Sequence, residues 1–231
     1  MRVPLVLTFL AAALAGCTML PGSGGEQRRS ADGGARYSSP VVQSLPGPRR
    51  EADGQCLSRL GQMGADYAAL PDRYLDRGCT NLGTVQLAAL AADQSTLAVT
   101  NLGPVTCEVG QAFAAWARFG VDRAARQILG SGLRSIETMG SYSCRNVAGT
   151  DRRSGHAIGA AIDVSGFVLE DGRRVTVSSG WHGSAREREF LRVVQRSACK
   201  RFATVLGPDY NAAHHDHLHV EGVIGTSSYC R

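Results

Sequence analysis

Residues 154–177 read SGHAIGAAIDVSGFVLEDGRRVTV, and the second half of this stretch decides the fold class. Two runs with strand character, Phe167 to Glu170 and Arg173 to Val177, flank the pair Asp171-Gly172. Asp-Gly between two such runs is a strong signal for a two-residue turn. The stretch therefore predicts an antiparallel β-hairpin.

Further strands are predicted on both sides of this hairpin, and they do not alternate with helices as strands do in βαβ units. They fall at residues 84–88, 96–100, about 133–143 and 217–220. This order favours the α+β class, in which helices pack against an antiparallel sheet. We therefore expect an α+β domain with a small antiparallel sheet.

Three helices are predicted from the spacing of apolar residues. Their expected bounds are Leu57 to Leu70, about Glu108 to Leu129, and Ser184 to the pair Gly207-Pro208. In the last of them, Ser184 and Glu187 have the spacing of a capping box. Apolar residues then repeat every four positions from Phe190 to Phe202, which predicts one buried face.

The N-terminus has the pattern of an export signal. An apolar run from Val3 to Ala15 is too short to span a membrane as a finished helix. It ends in Leu14-Ala15-Gly16-Cys17, which resembles the bacterial lipoprotein box; the alternative is an ordinary signal peptide with a chance cysteine. We predict a signal peptide over residues 1–16 and a lipid on Cys17 that anchors the protein to a membrane. Because no aspartate follows the cysteine, the predicted location is the periplasmic side of the outer membrane.

Residues 17–52 predict a flexible tether, because they are rich in Gly, Ser, Pro and Arg and have few large apolar residues. The folded domain is therefore expected over residues 53–231. The net charge is +5, but basic and acidic residues are interleaved, so no nucleic-acid-binding stripe is evident. A mild positive excess suits an anionic polymer such as the cell wall. No pattern indicates the oligomeric state.

Six cysteines remain after Cys17, and an even number in an exported chain predicts disulfides. They are Cys56, Cys79, Cys107, Cys144, Cys199 and Cys230. No CxxC pair occurs, so a cysteine-based zinc site is not expected. Sequence alone does not select one pairing; Cys56 with Cys79 is the simplest, because these two residues close a short loop.

A cluster of histidines is the strongest indication of a metal site in the sequence. Four of the six histidines lie within residues 214–219, which read HHDHLH, and His156 and Asp163 lie upstream among small and apolar residues. Histidine is the commonest metal ligand, and a carboxylate in an apolar run is costly unless it is paired or bound to a metal. Catalytic zinc sites use three protein ligands, which two distant segments can supply.

These motifs resemble those of known zinc proteins. The pattern Ser-x-His-x-x-Gly-x-Ala-x-Asp at residues 154–163, followed by His-x-His, resembles the lysostaphin, D-Ala-D-Ala peptidase and hedgehog group. More closely, the chain resembles bacterial extensin-like C-terminal domain proteins over residues 54–231. Residues 141–145, the capped helix ending at Cys199 and residues 205–219 carry this second resemblance.

The resemblance implies roles for individual residues. It implies His156, Asp163 and His219 as the ligands of Zn²⁺, and either His217 or Asp216 as the general base. Side chains two positions apart share a strand face, which favours His217.

Three further residues are candidates for the cleft around the metal. Arg145 is either a surface residue or the cation that binds an oxyanion or a substrate carboxylate. Ser154 is expected to form hydrogen bonds near the metal. His214 is expected at the mouth of the groove.

Two functions are the leading interpretations of these motifs, and zinc-dependent hydrolysis of another amide or ester bond is also compatible with them. One is a zinc metallopeptidase that hydrolyses peptide bonds of peptidoglycan, as an endopeptidase or a carboxypeptidase. The alternative is a non-catalytic lipoprotein that binds or organises the cell wall and retains the metal. Structural zinc sites normally have four protein ligands, so a three-ligand set beside a candidate base favours the enzyme.

Overall fold

The computed structural model describes Gln43, Ser44 and residues 51–231 of the chain. The predicted signal peptide, the lipidated Cys17 and nearly all of the predicted tether lie outside these residues and stay predictions. Within the described residues, no helix is both long and apolar enough to cross a membrane.

The described residues form a mixture of strands and helices. The strands are β1 Gln43–Ser44, β2 Asp66–Ala69, β3 Arg73–Asp76, β4 Cys79–Asn81, β5 Thr84–Ala91, β6 Thr96–Thr100, β7 Val105–Thr106, β8 Leu133–Gly140, β9 Ala161–Leu169, β10 Arg174–Thr176, β11 Thr204–Leu206, β12 Leu218–Glu221 and β13 Tyr229–Cys230. The α-helices are α1 Glu51–Gln62, α2 Cys107–Trp116, α3 Val177–Gly180 and α4 Ala185–Ala198. Two π-helical segments, Ala117–Asp122 and Ala125–Leu129, continue α2, and 3-10 turns cover Gly155–Ile158 and Ala212–His214.

In this part of the chain, ten strands form one sheet in the order β13-β11-β12-β9-β8-β6-β5-β2, with β10 beside β9 and β7 beside β5. The pairs β6–β8 and β11–β13 are parallel, and the other pairs are antiparallel. The prediction of a mixed fold with a mostly antiparallel sheet is therefore confirmed. The sheet is larger than the predicted small one, because several of its strands have only two to four residues and so show no alternating pattern.

Strand β9 is central to this sheet. It pairs with β8 along one edge and with β12 and then β10 along the other. The β9–β10 pair is the predicted hairpin, and Gly172 in its turn has a φ of 90°, a value that L-residues rarely adopt. The polar residues of β9 therefore lie in the middle of the sheet and not on an edge strand.

The hydrophobic core joins the helices to β9. Trp116 at the end of α2 is fully buried, and its indole N–H donates a hydrogen bond to the Val194 carbonyl of α4 at 3.0 Å. Its ring makes edge contacts with Phe167 of β9 and with Phe202, at centroid distances of 6.3 and 6.2 Å. Aromatic pairs in this geometry add to the stability gained by burial.

Two of the predicted helices are shorter than expected. Helix α1 ends at Gln62 and β2 follows, because Gly64 adopts a φ of 76° and turns the chain; the prediction of a helix to Leu70 is wrong. Helix α4 has the predicted capping box at Ser184 but ends at Ala198. Phe202 is buried although it lies beyond the end of the helix. The four-residue repeat of apolar residues therefore extends past the helix, and the predicted end was too late.

The disulfides are Cys56–Cys107, Cys79–Cys144 and Cys199–Cys230. The predicted pair of Cys56 with Cys79 is wrong. Cys56 lies in α1, which packs against α2, whereas Cys79 begins β4, which packs against the 3-10 turn at Gly155–Ile158. Sequence separation is a poor guide here, because tertiary packing and not loop length brings the thiols together.

Candidate metal centre

Two of the predicted ligands meet because of the register of the sheet. In the β9–β12 pair, Asp163 lies directly opposite His219. Residues opposite each other on antiparallel strands place their side chains on the same face. The His219 Nδ1 atom is 2.8 Å from the Asp163 Oδ1 atom. Their neighbours Ile162 and Val220 are fully buried in the hydrophobic core.

The third predicted ligand comes from the 3-10 turn that precedes β9. The Ser154 hydroxyl accepts the backbone N–H of His156 at the start of this turn. Gly159 ends it with a φ of 66°, and a Cβ there would lie 3.1 Å from the Pro104 carbonyl. The turn places His156 Nε2 at 3.1 Å from Asp163 Oδ2 and 3.2 Å from His219 Nδ1.

The segment at residues 141–145 fixes the orientation of His156. The Ser141 carbonyl accepts the Nδ1–H of the His156 ring at 3.0 Å. Two backbone hydrogen bonds join the same segment to the turn, from Ser143 N to His156 O and from Ser154 N to Arg145 O, each at 3.1 Å. A carbonyl only accepts, so His156 carries a proton on Nδ1 and its Nε2 atom faces the cluster.

The geometry of the three residues suits a small cation. Each offers one ligand atom, and these atoms all lie within 4.8 Å of one another. Ligand atoms in a tetrahedral zinc site, at 2.0–2.1 Å from the metal, are about 3.3 Å apart. The two histidine nitrogens are 3.2 Å apart, and each approaches a different oxygen of Asp163, His219 Nδ1 at 2.8 Å from Oδ1 and His156 Nε2 at 3.1 Å from Oδ2. Histidine nitrogen and carboxylate oxygen are also the donors that Zn²⁺ takes, so the residues fit this metal.

The electrostatics of the cluster centre on His219. Burial alone would lower the pKa of its ring, but hydrogen bonds to Asp163 and Glu221 outweigh it and raise the pKa to about 9. Burial alone would raise the pKa of the Asp163 carboxyl, yet hydrogen bonds from His156 and His219 hold it well below its usual range. In the metal-free protein at neutral pH, His219 is therefore a cation between two carboxylates, and a metal has to displace its Nδ1 proton.

His217 and Asp216 form a dyad beside this cluster. The Asp216 Oδ1 atom is 2.9 Å from His217 Nδ1, and this hydrogen bond lowers the pKa of the Asp216 carboxyl. His217 is buried, and its Nε2 atom is 3.6 Å from Asp163 Oδ1. Asp216 therefore orients His217, whose second nitrogen faces the candidate ligands. Of the two residues proposed as the base, only His217 points at the cluster through a contact.

His214 borders the cluster on the side of the second 3-10 turn. Its ring centroid is 5.1 Å from that of His217 and 6.0 Å from that of His219, and its Nδ1 atom is 2.7 Å from Asn211 Oδ1. Burial, followed by the charges of the nearby histidines, lowers its pKa to about 4, and the charge of Arg145 acts in the same direction. His214 is therefore neutral at physiological pH.

Arg145 is exposed, and its guanidinium has no hydrogen-bond or ion-pair partner among the described residues. Its positive charge contributes to the lowered pKa of His214.

Sequence reasoning missed Glu221. The Glu221 Oε2 atom is 3.0 Å from His219 Nε2, and this contact lowers the pKa of the Glu221 carboxyl. The signal was present in the sequence, because His217, His219 and Glu221 alternate at the spacing that places strand residues on one face. A glutamate that ends a strand is usually solvated, so the motif alone did not draw attention to it.

The family model described as Extensin-like protein C-terminus matches residues 54–231. The chain belongs to this family. No curated protein and no solved structure matches it significantly.

In this extensin-like domain the predicted site residues differ in how directly they contact the cluster of candidate ligands. His156, Asp163 and His219 form one cluster. His217 contacts it directly, and Asp216 reaches it only through His217. Ser154 acts on the backbone of His156 rather than on a ligand atom.

Proposed function

We propose that this extensin-like domain binds one Zn²⁺ through His156, Asp163 and His219 and hydrolyses peptide bonds of peptidoglycan. The observation that carries the proposal is the convergence of three ligand atoms from two segments beside an oriented histidine. Three protein ligands, rather than four, are typical of catalytic zinc. The resemblance of the motifs to the lysostaphin and D-Ala-D-Ala peptidase group supports peptidoglycan as the substrate.

When bound, Zn²⁺ in such a site polarises a carbonyl oxygen and acidifies a water molecule. The residues of the chain supply the remaining chemistry. His217 takes a proton on Nε2, and Asp216 stabilises the imidazolium that results, because its carboxylate accepts the Nδ1–H. His217 then returns the proton to the amine that leaves.

Arg145 is the residue best suited to bind an anionic part of the substrate. Its guanidinium is exposed and, among the described residues, has no partner that would have to be displaced. Guanidinium groups bind carboxylates with two parallel hydrogen bonds. Stem peptides of peptidoglycan carry carboxylates, so Arg145 would select or align such a peptide at the candidate site.

The proposal places the reaction in the cell envelope. A lipid on Cys17 and a tether over residues 17–52 would hold the domain on the periplasmic side of the outer membrane, within reach of the wall. Three disulfides support an oxidising compartment. Metabolic labelling with a palmitate analogue, compared between wild type and Cys17→Ala, tests the anchor.

Zinc binding is expected to release at least one proton at pH 7. His219 has a raised pKa of about 9, so it is protonated below that pH and has to lose its Nδ1 proton to bind a metal. Apparent affinity should therefore rise at least about tenfold per pH unit between pH 7 and about pH 9. Isothermal titration calorimetry in buffers of different ionisation enthalpy measures the proton count. Binding without proton release at pH 7 would contradict this assignment.

The hydrolase proposal is tested by digesting purified sacculi with the zinc-loaded protein and analysing the soluble products by mass spectrometry. Conversion of cross-linked muropeptides to monomers indicates an endopeptidase, and release of D-alanine indicates a carboxypeptidase. Protein stripped by a chelator should be inactive and recover on addition of zinc. If zinc binds and sacculi are retained but not cleaved, the domain is a wall-binding protein; if zinc does not bind, the metal centre is wrong.

A further inference from the structure

Glu221 is the only carboxylate besides Asp163 that contacts the ring of His219 in the described part of the chain. It lies two residues beyond His219 on β12 and therefore on the same face of the sheet. Its Oε2 atom is 3.0 Å from the Nε2 atom of His219, on the side of the ring opposite to Asp163 and His156. A carboxylate accepts hydrogen bonds, so the Nε2 atom of His219 carries a proton.

The fold leaves room for this carboxylate at one glycine. A Cβ on Gly155 would lie 2.5 Å from the carboxyl carbon of Glu221 and 2.7 and 2.8 Å from its two oxygens. Gly155 begins the 3-10 turn that carries His156, so the turn passes directly over the Glu221 side chain. The same turn thus presents one ligand and provides space for the partner of another.

The two candidate histidine ligands present different nitrogens to a metal, and His219 does so once it has lost its Nδ1 proton. His156 donates its Nδ1–H to the Ser141 carbonyl, which leaves Nε2 for the metal. His219 donates its Nε2–H to Glu221, which leaves Nδ1 for the metal. Hydrogen bonds from the far nitrogen fix the tautomer and the orientation of a ligating histidine. The cluster needs both arrangements, because Nε2 of one ring and Nδ1 of the other are the atoms that face each other at 3.2 Å.

We propose that Glu221 is a positioning residue of the metal centre: it holds His219 in the tautomer that binds metal through Nδ1, and Gly155 is required because any side chain there would displace the carboxylate. This inference rests on the metal centre proposed above. Glu221 does not contact the metal ligand atom of His219, so its effect is on metal affinity through the ring of His219.

The test is zinc affinity, measured by competition with a chelating dye, for wild type, Glu221→Ala, Glu221→Gln and Gly155→Ala. Loss of an outer partner of this kind weakens metal binding about 10- to 100-fold, and we expect that loss for Glu221→Ala and Gly155→Ala. Glutamine keeps an oxygen that can accept the Nε2–H, so Glu221→Gln should recover most of the affinity. Gly54→Ala is the matched control, because a Cβ at that position of α1 meets nothing within 4 Å.

Two further measurements separate positioning from a general loss of structure. Adding Gly155→Ala to Glu221→Ala should weaken zinc binding no further, because the carboxylate that it displaces is already absent. Nitrogen-15 NMR of the zinc-loaded wild type should show His219 protonated at Nε2 and ligating through Nδ1. If Glu221→Ala fails to fold by circular dichroism, Gly155→Ala and the tautomer of His219 in the wild type decide the question; if Gly155→Ala fails to fold, Glu221→Ala and the same tautomer decide it.

The outcomes distinguish this inference from the proposed function. If wild type binds no zinc, the metal centre itself is wrong. If wild type binds zinc and Glu221→Ala binds it equally well with the same tautomer of His219, the role of Glu221 is overturned while the metal centre stands. Additive losses from Gly155→Ala and Glu221→Ala would also overturn it, because the glycine would then act independently of the carboxylate.

Discussion

Replacing His219 with alanine is expected to weaken zinc binding by more than about 100-fold, which is more than the loss of an outer-shell partner costs. The substitution removes one of three ligand atoms. It also removes the cation between Asp163 and Glu221, which leaves two carboxylates on one face of the sheet without their shared partner. The measurement is bound zinc per chain by mass spectrometry of the metal after dialysis against a weak chelator.

The control for this prediction is His215→Ala. His215 belongs to the same histidine run, but its side chain is 70% exposed and its Nδ1 contact is to the Ala212 carbonyl. It should keep the zinc content of wild type. Because His219→Ala also loses a buried ion pair, thermal unfolding of the metal-free forms has to be recorded alongside. Retention of one zinc by a folded His219→Ala protein would show that the metal binds elsewhere.

Replacing His217 with glutamine is expected to lower kcat on peptidoglycan about 10²- to 10⁴-fold while zinc stays bound, which is the range for loss of a general base. His217 faces the cluster through a 3.6 Å approach to Asp163 and is not one of the three converging ligands. Its loss should therefore affect proton transfer more than metal affinity. Muropeptide release and bound zinc are measured on the same preparations.

Asp216→Asn separates the two residues of the dyad. Asparagine retains an oxygen that accepts the Nδ1–H of His217 but loses the charge that stabilises the imidazolium, so a smaller loss of kcat is expected than for His217→Gln. If Asp216→Asn is the more damaging change, the base assignment reverses. If both variants lose zinc, the dyad is part of the metal site instead.

The sequence was most informative where chemistry restricts the residue type. His156, Asp163 and His219 are implied as ligands by the resemblance of residues 154–163 and of the distant His-x-His to known zinc proteins, and the structure brings the three together. The hairpin at Asp171-Gly172 and the capping box at Ser184 follow from local backbone rules, and both are present. These features depend on a few adjacent residues.

The features that sequence did not predict depend on contacts between distant segments. The packing of α1 on α2 brings Cys56 to its disulfide partner, Cys107. The end of α4 could not be predicted from the apolar pattern, because Phe202 continues that pattern and is buried although the helix has already ended. The shortest strands have too few residues to show the alternation of apolar and polar residues that predicts a strand. Glu221 went unrecognised because its role depends on which nitrogen of His219 is free, a property that only the geometry of the ring reveals.

The Cys79–Cys144 bond implies that disulfide formation comes before metal binding at the candidate site. It links residues 65 positions apart and fastens the segment whose Ser141 carbonyl, Ser143 N–H and Arg145 carbonyl hold the His156 turn. While these thiols are reduced, that segment is tied down only by hydrogen bonds, and His156 has no covalent support for its orientation. Oxidation of the chain should therefore precede its metallation, and a copy kept among reducing thiols should stay metal-poor.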